Sequence, residues 1–138
     1  MRLSIPASGI FDCDKNSEIV NANWSHEFRK MLGYHDTLDF PNKLESWSDL
    51  LHPQDKERVM VQLQAAIKDK TNQIKYQVEY RMRMKDNQYQ WFRASAEVIR
   101  RLDGSASRIA GIFINIDAEK KRGHAGTKIC CFPPGFYE

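Results

Sequence analysis

Cysteine is too scarce in this chain to build a disulfide framework. There are three, an odd number, and Cys130 and Cys131 are adjacent, a spacing that disfavours a bridge between them. A reduced compartment is the simpler expectation. Long apolar runs are missing as well. No stretch approaches the ~20 residues a membrane-spanning helix needs, and the first residues lack the apolar core of a signal peptide. These absences predict a soluble, cytoplasmic chain without direct membrane contact. An excess of one charge is also lacking, with 21 Lys plus Arg against 18 Asp plus Glu. The bases alternate with acids and apolar side chains, so nucleic acid is not the expected partner. There is no Gly-rich phosphate loop, no supportable Ser-His-Asp ordering and no pair of carboxylates in an apolar setting, so catalysis is not expected. No Cys/His spacing suits zinc, and no metal site is expected.

What is present is a long alternation. Ile74, Tyr76, Val78, Tyr80, Met82 and Met84 interleave with Lys75, Gln77, Glu79, Arg81, Arg83 and Lys85. That is the period of a half-buried strand, with one apolar and one solvated face. Lys85-Asp-Asn-Gln88 supplies turn chemistry, and Tyr89 to Ile99 reads as the returning strand. The remainder of the chain must cover the apolar face of this antiparallel hairpin. A length of 138 residues suits one domain with a real core.

Upstream, Gly9–Cys13 and Glu18–Asn21 are strand candidates joined by a turn at Asp14–Ser17. Asn23 or Ser25 can cap a helix whose apolar positions are Trp24, Phe28, Met31 and Leu32, with Gly33 as its left-handed stop. Tyr34 to Ser46 reads as loop and short helical turns packed by their own aromatics. Pro53 then opens a helix through Val59, Leu63, Ala66 and Ile67, with Asp55 in its first turn, where the helix dipole favours an acid. Asp103-Gly104 is a strong turn signal, and Ile109–Ile116 is apolar on both faces, as a central strand requires. The order of elements predicts an α+β fold, a five-stranded antiparallel sheet with helices inserted between strands 2 and 3. Residues 1–7 read as an N-terminal extension and 8–121 as the domain. Past Lys121 neither period is visible, so 122–138 reads as an irregular tail, natural or non-native.

The order of elements, together with Trp47-Ser48-Asp49-Leu50-Leu51-His52-Pro53 and Asp55, resembles a PAS domain. Glu79-Tyr80-Arg81 and Tyr89-Gln90-Trp91-Phe92-Arg93-Ala94 narrow the resemblance to the PAS fold 3 subgroup. The stretches Trp24–Tyr34 and Asp39-Phe40-Pro41-Asn42 are similar to PAS domains of bacterial methyl-accepting chemotaxis receptors. The resemblance implies a sensory input domain of such a receptor or a related signalling protein, sensing a small ligand or relaying a signal. The alternative is a ligand-free dimerisation module of a histidine kinase or diguanylate cyclase. It further implies a homodimer, effector domains on the full-length chain, and a cytosolic position in a membrane-anchored receptor. Such domains usually end in Asp-Ile-Thr before a signalling helix, where this chain has Asn115-Ile116-Asp117. Asn115 is then expected to hydrogen-bond a hairpin arginine such as Arg93, and Asp117 to cap a following helix. Trp91, Arg93, Asn115 and Asp117 are the expected relay and interface residues.

In the family the interior holds the ligand, and the candidates here are Phe28, Leu32, Tyr34, Phe40, Trp47, Leu51, Leu63, Tyr80 and Met82. A packed core with no ligand is the plain alternative. No cofactor is evident. Haem in related sensors hangs on one histidine, for which His35 and His26 are the candidates, while His52 at a helix start reads as structural and His124 lies in the tail. Covalent flavin needs an Asn-Cys-Arg-Phe-Leu-Gln motif that this chain lacks. Noncovalent flavin would rest on Trp24, Trp47 and Trp91, aromatics that serve equally well as core.

Overall fold

The computed structural model describes the backbone of residues 6–126 and the side chains of 6–122. In chain order the elements are β1 (Ala7–Cys13), β2 (Ile19–Trp24), α1 (His26–Leu32), α2 (Leu44–Ser48), α3 (Pro53–Lys68), β3 (Tyr76–Arg83), β4 (Tyr89–Arg100), β5 (Ala106–Asn115) and α4 (Asp117–Gly126). The strands form one five-stranded sheet in the order β2-β1-β5-β4-β3, and every neighbouring pair is antiparallel. Helices α1 to α3 lie between β2 and β3 in the chain, the expected architecture.

The alternation of the hairpin is realised in space. Tyr76, Val78, Tyr80 and Met82 are buried, whereas Gln77 and Arg83 face solvent. The register sets Tyr80 opposite Phe92 and Arg81 opposite Trp91. Ile74 is left half exposed outside the strand, because Asp69 at the end of α3 accepts the N–H groups of Thr71, Gln73 and Ile74 and winds them into a turn. The hairpin turn places Asn87 at φ 69°, a conformation Asn tolerates, while the Asp86 carboxylate accepts from the Gln88 N–H.

Trp24 corrects the expected helix. It closes β2 and does not ride on α1, so the cap is Ser25, whose Oγ accepts the Phe28 N–H at 3.1 Å. A tryptophan at the last strand position and one at the first helical position look alike in a sequence pattern. Gly33 ends α1 at φ 100°, in the left-handed region where its missing Cβ removes the strain. α3 starts at Pro53, and His52 Nδ1 accepts the Gln54 N–H at 3.1 Å, the structural role its sequence position suggests.

The core lies between the sheet and α1–α3 and is unusually aromatic. Phe28 stacks on Phe113 with ring centroids 4.2 Å apart, and Phe11 meets the edge of Trp24 at 5.3 Å. Aromatic pairs in such geometry add to the burial that dominates folding. β5 is central, as its two apolar faces imply, yet Ile112 and Ile114 on its outer face remain exposed. The largest departure from expectation is at the C-terminal end. α4 continues through Gly126, five residues beyond Lys121, where only irregular chain was expected. Asp117-Ala-Glu-Lys-Lys-Arg122 has no apolar stripe to betray a helix. Charge pairs hold it, including Lys121 to Asp117 at 3.0 Å, one helical turn apart. Residues 127–138, including Cys130 and Cys131, lie outside the described residues, as do 1–5.

Candidate functional site

Eight of the nine expected interior residues are buried: Phe28, Leu32, Phe40, Trp47, Leu51, Leu63, Tyr80 and Met82. They are brought together, but mainly as packing and not as the walls of a void. Tyr34 is the exception. It is half-buried at the rim, against the Phe40 ring, with the Lys85 ammonium 5.6 Å from its own ring centre. Tyr80 is fully buried, and its hydroxyl oxygen accepts from Trp47 Nε1 at 3.2 Å. Burial in apolar surroundings pushes that phenol well above its usual pKa, so it stays neutral.

A small cavity does remain, further along the sheet than expected. Its free volume is about 30 Å³, and Gly9, Phe11, Trp24, Tyr76, Gly111 and Phe113 are among its walls. Of the expected residues only Trp47 and Leu63 border it. The space exists because the inner face of the sheet carries Gly9, Gly111 and Ala96 side by side, where larger side chains would fill it. Tyr76 was visible in the alternation but unmarked as a site residue. The glycines carried no sequence signal of a floor.

The cofactor candidates do not fit this interior. His26 and His35 are both exposed, and His35 turns outward to lie 3.4 Å from the Asp39 carboxylate. Neither is placed to ligate a group held inside the domain. Trp91 lies on the opposite face of the sheet from Trp24 and Trp47, so the three tryptophans cannot enclose a flavin. A void of about 30 Å³ is also far below the several hundred Å³ of a drug-sized ligand pocket. Among the described residues no cluster of His, Cys, Asp and Glu is arranged to hold a metal ion.

The second candidate region is the outer face of β3 and β4, where α4 leaves the sheet. Arg93 Nη2 donates to Glu119 at 2.8 Å and stands 3.0 Å from Glu79, while Lys120 Nζ reaches Glu79 at 2.8 Å. The Lys120 ammonium also lies 4.6 Å from the Trp91 ring centre, with the Arg81 guanidinium 5.2 Å from it. Salt bridges from Lys120 and Arg93 hold the Glu79 carboxyl below its usual range despite partial desolvation. Asp117 does not cap the helix. Its Oδ1 accepts the Trp91 N–H at 3.1 Å, tying the first turn of α4 to β4. Asn115 does not bond Arg93 either. Its amide donates to Gln90 and its carbonyl accepts the Asp117 N–H, because in the β4–β5 register Asn115 faces Phe92 and Arg93 faces Ile114.

Two buried ionic features were missed or misassigned. Asp55 was expected to serve the helix dipole, but it is buried and grips Arg81 in a two-point bond, both contacts 2.9 Å, while also accepting the Arg81 N–H. Those bonds hold its carboxyl down to about 2 against the opposing cost of burial. Arg29, buried on α1, donates to the carbonyls of Phe40 and Trp24 and to Asn42 Oδ1, fixing the segment that leads to α2. No local pattern marks a helical arginine as buried.

The fold, the aromatic interior and a terminal helix clamped to the hairpin define a sensor module of the PAS type. A family model described as "PAS fold" matches residues 21–113, and the chain belongs to that family. Among curated proteins, the sensor protein FixL of Bradyrhizobium diazoefficiens is 32% identical over 121 residues, 87% of this chain but 23% of the relative. The chain therefore spans under a quarter of that relative's length. A sensory box histidine kinase/response regulator from Burkholderia thailandensis superposes with a TM-score of 0.67 at 24% identity, covering 86% of this chain and 83% of the other. The N-terminal domain of a diguanylate cyclase with PAS/PAC sensor from Marinobacter aquaeolei gives 0.64 at 18% identity, covering 82% and 98%. At those identities the two structures show a shared fold. The chain is a PAS sensory domain of the kind found in signalling proteins. No helix among the described residues is long and apolar enough to cross a membrane.

Proposed function

We propose that this domain is the non-catalytic, cytoplasmic input module of a longer signalling protein, sensing through its interior and transmitting through α4. One observation carries the transmission. The Glu119–Arg93–Glu79–Lys120 cluster bolts α4 to the outer face of the same two strands whose inner face supplies Tyr80 and Phe92. A shift of those strands driven from within changes the spacing of the charges outside, and the helix holds or releases accordingly. The attached output is of the sensor-kinase or cyclase type, supported by the kinship to FixL and the fold shared with kinase and cyclase domains. The chemotaxis-receptor assignment is supported only by the motifs at Trp24–Tyr34 and Asp39–Asn42.

Amide hydrogen exchange tests the coupling. Arg93→Ala is expected to accelerate exchange in residues 118–122 several-fold while β3 to β5 keep their protection. An α4 whose protection is indifferent to Arg93 refutes the coupling.

Dimerisation has its own support. Ile10, Ile112 and Ile114 form a half-exposed apolar strip on the outer face of β1 and β5, next to α4's anchor. The expected contact through Trp91 is disfavoured, since Arg81 and Lys120 already approach that ring. Ile112→Asp is expected to shift a sedimenting dimer to monomer. A wild-type chain that stays monomeric at high concentration removes the dimer.

A further inference from the structure

The interior cavity carries features that packing alone does not explain. Tyr76 is 6% exposed, and its hydroxyl has no hydrogen-bond partner among the described residues. Tyr80 is fully buried, and although its oxygen accepts from Trp47, its own proton has no acceptor among the described residues. Tyr80 keeps that one bond, whereas Tyr76 has none among the described residues, and a buried phenol without a partner is costly. Tyr76 sits near enough to add to the resistance of Tyr80 to ionisation, which burial dominates. The cavity beside them is walled by Trp47, to which Tyr80 is bonded, and by Tyr76 itself.

Tyr76 has a second position of interest. Tyr76 and Ala96 also border a surface cleft whose other walls are Ala66 on α3, Asn72 and Ile74 beyond its end, and Lys75, Glu97 and Val98. The Tyr76 side chain thus stands between solvent and the cavity. No charged side chain lines the cavity, and the buried Arg29 has its donors engaged by carbonyls. An ion entering this space would lose its hydration with nothing to replace it.

We infer that the cavity is a binding site for a small uncharged molecule of a few heavy atoms carrying one hydrogen-bond acceptor. Tyr76 is both its donor and its gate, and the cleft over Asn72 and Ile74 is the way in. The inference rests on the interior-sensing role proposed above and names the ligand class for it. A free volume of about 30 Å³ admits a water or a ligand of two or three heavy atoms as the domain stands, and rotation of the Tyr76 ring into the cleft admits somewhat more.

Acetonitrile, a neutral molecule with one acceptor, is the probe, and acetate is its charged counterpart. Saturable amide shifts in titrations of the whole chain should cluster at residues 76, 94 and 109–113 with acetonitrile and be absent with acetate. Tyr76→Phe keeps the ring and removes the donor, and it should weaken acetonitrile about five-fold, the share of one hydrogen bond. Gly111→Ala, whose added methyl meets only Ser95 O at 3.3 Å and Ala96 Cβ at 3.5 Å, should abolish binding by filling the space. Equal affinity in Tyr76→Phe, equal shifts with acetate, or no saturable shift with acetonitrile would each overturn the inference. None of these touches the α4 coupling, which is judged separately by amide exchange in Arg93→Ala. Loss of that coupling with acetonitrile binding intact would remove transmission and leave the ligand class standing.

Discussion

Asp55→Asn is the sharpest probe of how the helical layer is joined to the sheet. Asp55 is 5% exposed and holds Arg81 through both carboxylate oxygens and through the Arg81 backbone N–H. Its carboxyl is lowered from an ordinary 3.8 to about 2, chiefly by the side-chain hydrogen bonds from Arg81, with burial opposing. Each unit of such a shift corresponds to ~1.4 kcal/mol, so the ionised carboxylate contributes about 2–3 kcal/mol to folding. The amide retains the shape but loses the charge and leaves a half-buried guanidinium under-paired. In a domain of this size that loss lowers Tm by roughly 10 °C at neutral pH. The sign of the pH dependence follows from a folded pKa below the unfolded one. The contribution is complete above about pH 4 and fades as pH falls towards about 2, so wild type and variant should converge in that window. Urea denaturation at several pH values measures both effects. A gap under about 0.5 kcal/mol at neutral pH, or one that persists unchanged through the acid window, refutes the ionic account.

Two further outcomes follow from packing. Arg29→Met strands the Phe40 and Trp24 carbonyls and leaves Asn42 Oδ1 with the Trp24 N–H alone, and should cost about 3 kcal/mol in urea unfolding. A loss below about 1 kcal/mol would mean that water replaces the guanidinium there. Gly9→Ala drives a Cβ to within 2.6 Å of the Trp24 ring, and should destabilise by about 2 kcal/mol, whereas Gly111→Ala should be near neutral. Equal costs at the two glycines would contradict the arrangement of the sheet floor.

Much of the fold was legible in the chain because its signals are local and periodic. The hairpin alternation, Gly33, the His52-Pro53 helix start and the turn at Asp103-Gly104 are written within a few residues, and each is realised where expected. The identities of the buried residues followed too, since an apolar side chain on a periodic face has one place to go. The site was less legible. Whether buried aromatics enclose a void or fill it depends on summed volumes across strands far apart in sequence. Gly9 and Gly111 become neighbours only through the β1–β5 register.

Charge pairing was the other blind spot. Asp55 and Arg81 are 26 residues apart, as are Arg93 and Glu119, and nothing in the spacing couples them. The run of α4 past Lys121 escaped notice because ion pairs, not an apolar stripe, bind the helix to the hairpin. The sequence by itself determined the order of the strands and of α1 and α3, the buried faces of the hairpin and of those helices, and the family. Only the tertiary structure decided which residues border the cavity and which charges clamp the terminal helix. The physical reason is one of range: periodicity is a property of neighbours in the chain, whereas a void or a salt bridge is a property of neighbours in space.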